Sequence, residues 1–145
     1  MKKYKIGYTS GVFDLFHIGH LNILRRAKER CDYLIVGVST DELVRDYKNK
    51  IPIIPFSERS EIVASCRYVD KVVPQTSMDK MIVWEDVKFD VMFHGDEWKH
   101  TPLYNKYIEE FAKVGVEIVF LPHTKGICST DLTKKINESE KTDNR

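Results

Sequence analysis

Residues 3–39 read KYKIGYTSGVFDLFHIGHLNILRRAKERCDYLIVGVS, and the order of their periodicities sets the fold class. Two short apolar runs rich in Val, Ile and Tyr, near 3–9 and 33–39, have the length and composition of buried strands. Between them, GHLNILRRAKERC places Leu21, Leu24, Ala27 and Cys31 on one helical stripe, with Arg25, Arg26, Lys28 and Glu29 facing outward. A strand, an amphipathic helix and a second strand buried on both faces make a parallel crossover unit.

The same alternation continues along the chain. Strands are expected near 70–74, 89–94 and 116–121. Ser57 is a candidate N-cap for SERSEIVASCR and Ser77 for MDKMIVWEDV, LYNKYIEEFAKVG stops at Gly115, and a last short helix starts at about Ser129. Residues 41–56, DELVRDYKNKIPIIPF, hold two prolines and read as an irregular segment or a short helix followed by a loop. The expected architecture is α/β, a doubly wound, Rossmann-like five-stranded parallel sheet in one domain over 1–137. The polar tail 138–145 has nothing to bury and is expected to be disordered.

Composition narrows the function classes. The 145 residues are 42% hydrophobic and 31% charged, with a net charge of +1, so no broad electrostatic pull toward nucleic acid or membrane is expected. Cys31, Cys66 and Cys128 are odd in number and far apart, which speaks against a disulfide framework and suits a cytoplasmic protein.

Open parallel sheets bind ligands beyond the carboxyl ends of their strands, where strand order reverses. Residues 9–20, TSGVFDLFHIGH, follow the first strand, and Gly19-His20 opens the next helix, where free N–H groups and the helix dipole favour an anion. The segments 41–56, HGDEWK (94–99) and PHTKGICST (122–130) fall on the same edge, so one site built from four loops is expected. A metal site at His17, His20 and Asp14 lacks the i, i+4 spacing of HExxH and a third soft ligand.

GVFDLFHIGH, a lysine-bearing loop, RYVDKVVP, GDEW and TKGICST, in that order, resemble the small cytidylyltransferases, most closely the bacterial glycerol-3-phosphate type. The resemblance spans about residues 6–136. It implies the HxGH nucleotidyltransferase type of the fold and transfer of CMP from CTP to a phosphorylated small alcohol, giving a CDP-alcohol and pyrophosphate. Such transfer works by positioning and charge stabilisation, and the attacking phosphate monoester is already a nucleophile.

The resemblance assigns His17 and His20 to the triphosphate, as donors of hydrogen bonds or charge. Thr9 and Phe13 match strand-end contacts. Gly11 and Gly19 either admit the nucleotide or simply turn the chain, and Asp14 orients its loop. At least one of Lys48 and Lys50 reaches the phosphates. Arg67 clamps phosphate, while Arg59 stays open between that role and an ion pair with Glu58, Glu61 or Asp70. Gly95, Asp96, Glu97 and Trp98 shape the base or acceptor pocket, with Trp98 stacking or only packing. Trp84 reads as core.

In the last loop, His123, Thr124, Gly126, Ile127, Ser129 and Thr130 align with the phosphate cradle. The family usually has arginine where this chain has His123 and a hydroxyl where it has Cys128, so triphosphate affinity and acceptor identity are where this chain is expected to differ. Magnesium is expected through the triphosphate itself, which leaves the protein with no metal ligands of its own. The expected partners are CTP and glycerol 3-phosphate, with a homodimer implied by the resemblance. The alternatives are another phospho-alcohol, ATP in place of CTP, or a nucleotide-binding module without catalysis.

Overall fold

A computed structural model of the chain describes residues 4–122 together with 135 and 136. The strands are β1 (Tyr4–Gly11), β2 (Cys31–Ser39), β3 (Lys71–Gln75), β4 (Val91–Gly95) and β5 (Glu117–Leu121). They form one sheet in the order β3-β2-β1-β4-β5, and every pairing is parallel. The chain lays β2 and β3 on one side of β1 and then crosses to place β4 on the other. The reversal therefore falls between β1 and β4, and the doubly wound expectation holds.

The helices are α1 (Ile18–Lys28), α2 (Asp41–Lys48), α3 (Phe56–Ala64), α4 (Lys80–Val87) and α5 (Pro102–Ala112), with a short 3₁₀ turn at Asp96–Trp98. They cover both faces of the sheet. On one, Leu24 and Ala27 of α1 and Val63 of α3 bury against Val36, Val38 and Phe93. On the other, Tyr104, Tyr107 and Phe111 of α5 bury against Tyr8, Ile35 and Met92, with α4 packed alongside. No helix among the described residues is long and apolar enough to cross a membrane.

Several boundaries differ from the periodicity. Cys31 is the first residue of β2, because α1 ends three residues earlier at Lys28. α2 forms within 41–56: Thr40 caps it by accepting the Leu43 N–H at 3.2 Å, and Asn49 ends it in the left-handed region. α3 starts at Phe56 after Pro55, so Ser57 lies in its first turn and is not its cap. α4 is capped by Asp79, which accepts the Met81 N–H, while Ser77 accepts the N–H of Asp79. Proline fits within β3 because that strand is at the sheet edge. The helix expected from Ser129 and the tail 138–145 lie outside the described residues.

Candidate active site

The opening of α1 answers why two histidines stand there. His17 is the N-cap, and its Nδ1 accepts the Gly19 N–H at 3.0 Å. His20 sits at N3, and its Nδ1 accepts the His17 N–H at 3.2 Å. This is a capping box in which imidazoles replace the usual hydroxyl and carboxylate. The Gly19 amide is thus spent on the cap. Because both Nδ1 atoms accept, a neutral ring must carry its proton on Nε2, so each presents one N–H donor. The rings stack with centroids 3.9 Å apart, and the His17 Nε2 is buried without a partner among the described residues.

Burial keeps these imidazoles neutral. It lowers His17 below the ordinary histidine range and takes His20 down to about 4, helped by His17 and opposed by Asp14. His94 on β4 is also brought to about 4, first by burial and then by the charge of Lys80. Their folded values lie below the unfolded value near 6.5, so the folded state binds fewer protons in between. The stability that His20 and His94 contribute is complete above about 6.5 and drains away as pH falls toward 4, about 3 kcal/mol for each of these two rings. The melting temperature should decline already between pH 6.5 and 5, before most carboxylates titrate. A flat profile there would contradict the burial.

At the β1/β4 reversal the sheet edge opens into a cavity of about 150 Å³. Thr9, Ser10, Gly11, Phe13, His20, His94, Gly95 and Glu97 are among the residues that line it. A larger cavity of about 380 Å³ lies against β3 and α4, lined by Ile35, Val73, Ile82 and Val83 among others, and holds none of the expected residues. The smaller one has the convergent polar groups that a phosphate ligand needs.

Asp14 behaves as an anchor. Its two oxygens accept the N–H groups of Ile53 at 2.8 Å and Ile54 at 3.0 Å, pulling the 51–55 loop to the site. Phe13 is buried, and its ring meets the edge of His20 at 5.3 Å, so it supports the imidazole. Lys48 closes α2, where partial burial and the charge of Lys50 hold its ammonium below the usual lysine range, against the pull of Asp14. Lys48 therefore lies within electrostatic reach of Asp14 in the loop before α1, and Lys50 within reach of Lys48.

Arg67 falls beyond the end of α3 and is exposed, its guanidinium 5.0 Å over the Tyr68 ring and hydrogen bonded to the Tyr68 hydroxyl at 2.9 Å. It is not among the lining residues. Asp96 and Trp98 ride on the exposed 3₁₀ turn, with Trp98 against His94 and Tyr104. Trp84 is half-buried against the α5-side core, as expected. His123, Thr124, Gly126, Ile127, Ser129 and Thr130 lie outside the described residues.

Arg59 resolves differently from either reading of it. Its side chain is 0% exposed and pairs with Asp41 at 2.6 Å. It also donates to the carbonyls of Ile54, Val12 and Ser39 at 2.7–2.8 Å. One guanidinium fork thereby ties the loops after β1 and β2 to the entry of α3. The residues that sequence reasoning missed are Ser10, His94 and Lys80. Ser10 alternates with Thr9 and so faces the other side of the sheet, and Lys80 is the lone charge in the apolar run KMIV.

A His-x-Gly-His helix cap beside the β1/β4 reversal of a 3-2-1-4-5 parallel sheet defines the nucleotidyltransferase type of α/β domain. The chain belongs to the cytidylyltransferase-like family, whose match covers residues 8–135. It is 37% identical over 135 residues to the glycerol-3-phosphate cytidylyltransferase of Bacillus subtilis (strain 168), covering 88% of this chain and 94% of that one. It is 36% identical over 146 residues to the ethanolamine-phosphate cytidylyltransferase of Dictyostelium discoideum, covering 91% of this chain and 38% of that protein. Among solved structures, the lipopolysaccharide core biosynthesis protein from Thermoplasma volcanium GSS1 aligns with a TM-score of 0.71 at 26% identity, over 86% of this chain and 99% of that one.

Proposed function

We propose that the protein transfers CMP from CTP to glycerol 3-phosphate, releasing pyrophosphate and CDP-glycerol. The observation that carries this reading is the histidine capping box, which presents neutral Nε2–H donors at the reversal point of a chain similar to glycerol-3-phosphate cytidylyltransferases. The triphosphate lies across the start of α1. An oxygen of the acceptor phosphate attacks the α-phosphorus in line, one P–O bond forms, and the bond to the β-phosphate oxygen breaks. Negative charge grows on the departing pyrophosphate and on the equatorial oxygens, where donors already in place stabilise it without reorganisation. Because the rings are neutral, they act as hydrogen-bond donors and not as fixed charges. Lys48 and Lys50 supply the mobile positive charge.

The nucleotide enters as its magnesium complex, in which the ion offsets triphosphate charge and is held by phosphate oxygens and water. The engaged carboxylate of Asp14 fits a loop anchor better than a metal ligand. We place the reaction in the cytoplasm. The groove lined by Leu15, Phe16, Ile54, Ile62, Lys135 and Ile136, together with the exposed Ile51 and Ile53, supports a homodimer.

Pyrophosphate release with magnesium, crossing CTP and ATP against glycerol 3-phosphate, ribitol 5-phosphate, phosphocholine and phosphoethanolamine, tests the reading. Release with CTP and glycerol 3-phosphate is expected. Release with another pair reassigns the substrate, and silence from folded, nucleotide-binding protein favours a module without catalysis.

A further inference from the structure

Phe13 and Leu15 hold left-handed backbone, at φ 55° and φ 50°. Large L side chains rarely enter that region, because Cβ crowds the following carbonyl, whereas glycine enters it without strain. Both residues adjoin Asp14, and Leu15 stands two positions before His17, the N-cap of α1. Strain of this kind persists only where the surroundings enforce it, and it gathers at functional sites.

The turn is held at both ends and in the middle. Upstream, Arg59 Nη1 donates to the Val12 carbonyl at 2.7 Å, and the buried Phe13 ring lies 5.3 Å from His20. Downstream, His17 and His20 close the capping box, with the Phe16 ring 5.4 Å from His20. In the middle, Asp14 Oδ1 accepts the N–H groups of Leu15 at 3.1 Å and Ile54 at 3.0 Å, and Oδ2 accepts that of Ile53 at 2.8 Å. The carboxylate thus fastens the strained turn to the 51–55 loop.

We propose that residues 13–15 form a strained catch: seating the 51–55 loop on Asp14 holds Leu15 left-handed, and that backbone sets the register of His17 and His20. The inference deepens the cytidylyltransferase reading, on which it rests for what the histidines do. Leu15 and Asp14 are positioning residues. Returning Leu15 to an ordinary backbone region redirects the chain that follows it, and His17 is two residues on. The turn therefore sheds its strain only by giving up the histidine register. Lys48 and Lys50 lead into the same loop, so its seating ties the lysine-bearing segment to the histidine turn.

The test compares Leu15→Ala with Leu15→Gly, each with and without Asp14→Asn, by thermal melting and by kcat at saturating CTP and glycerol 3-phosphate. Both lack the leucine side chain, but alanine keeps the backbone strain and glycine removes it. Asparagine leaves one oxygen to accept and sets an amide N–H₂ against the other N–H partners. With Asp14 intact, the glycine variant should melt about 3 °C above the alanine variant. With Asp14→Asn the catch is open and alanine relaxes, so this gap should close. Asp14→Asn should also cost about 5-fold more kcat beside alanine than beside glycine. A gap that persists with Asp14→Asn, or equal kcat losses in the two pairs, overturns the proposal, because a carboxylate that only contributes hydrogen bonds acts alike in both. A wild type without turnover overturns the cytidylyltransferase reading, and the melting gap alone then decides whether the catch exists.

Discussion

Replacing His17 by asparagine is expected to leave the fold intact and lower kcat by about 10²- to 10³-fold, the usual effect of removing one preorganised donor to a developing charge. The two functions of this side chain sit on different atoms. Nδ1 holds the helix start by accepting the Gly19 N–H, and Nε2, buried and unpartnered among the described residues, is the atom proposed as the donor to the triphosphate. Asparagine is a good N-cap whose Oδ1 takes the place of Nδ1, so stability should stay within about 0.5 kcal/mol. Nothing in asparagine reaches the Nε2 position. His17→Ala removes both atoms and should lose the same turnover plus about 1 kcal/mol of stability. Turnover with CTP and thermal melting of the two variants separate the roles. Near-normal turnover in His17→Asn would show that the cap alone matters.

Arg59→Met is expected to lower stability by about 3 kcal/mol, a large part of a typical margin of about 5–15 kcal/mol. Methionine fills much of the volume but leaves Asp41 without its cation and the carbonyls of Val12, Ser39 and Ile54 without their donor. Asp41 is 36% exposed and regains some water, which keeps the loss below the upper range for fully buried pairs. The melting temperature should fall by roughly 10 °C. Turnover should fall as well, because Val12 and Ile54 flank the contacts through which Asp14 holds its loop. Arg59→Lys should recover only part, since one ammonium cannot span four acceptors in fork geometry. A melting temperature within a degree or two of wild type would mean that water replaces the clamp.

The fold class was legible in the sequence because alternating strand and helix periodicities report local burial, and each element needs only its own residues to display them. The site edge was legible for the same reason: a loop that follows a parallel strand and opens a helix can lie only at the carboxyl end of the sheet. Residues 9–20 thus located the histidines before any contact was known. Which atoms those histidines use is a different matter. The capping box takes the Gly19 amide that the sequence assigns to an anion and leaves the proton of each neutral ring on Nε2.

Pairings between distant side chains leave no local trace. Arg59 and Asp41 are 18 positions apart, and Lys80 and Ser10 are 70 apart. Charged residues in a sequence look alike whether they clamp a loop, stack on a neighbour as Arg67 does on Tyr68, or stand buried behind a cavity wall. The sequence by itself determined the parallel α/β architecture, the histidine-bearing edge and the family. Only the tertiary structure decided which cations are structural and which have no counter-charge among the described residues, because that depends on what the winding of the sheet brings close to each one.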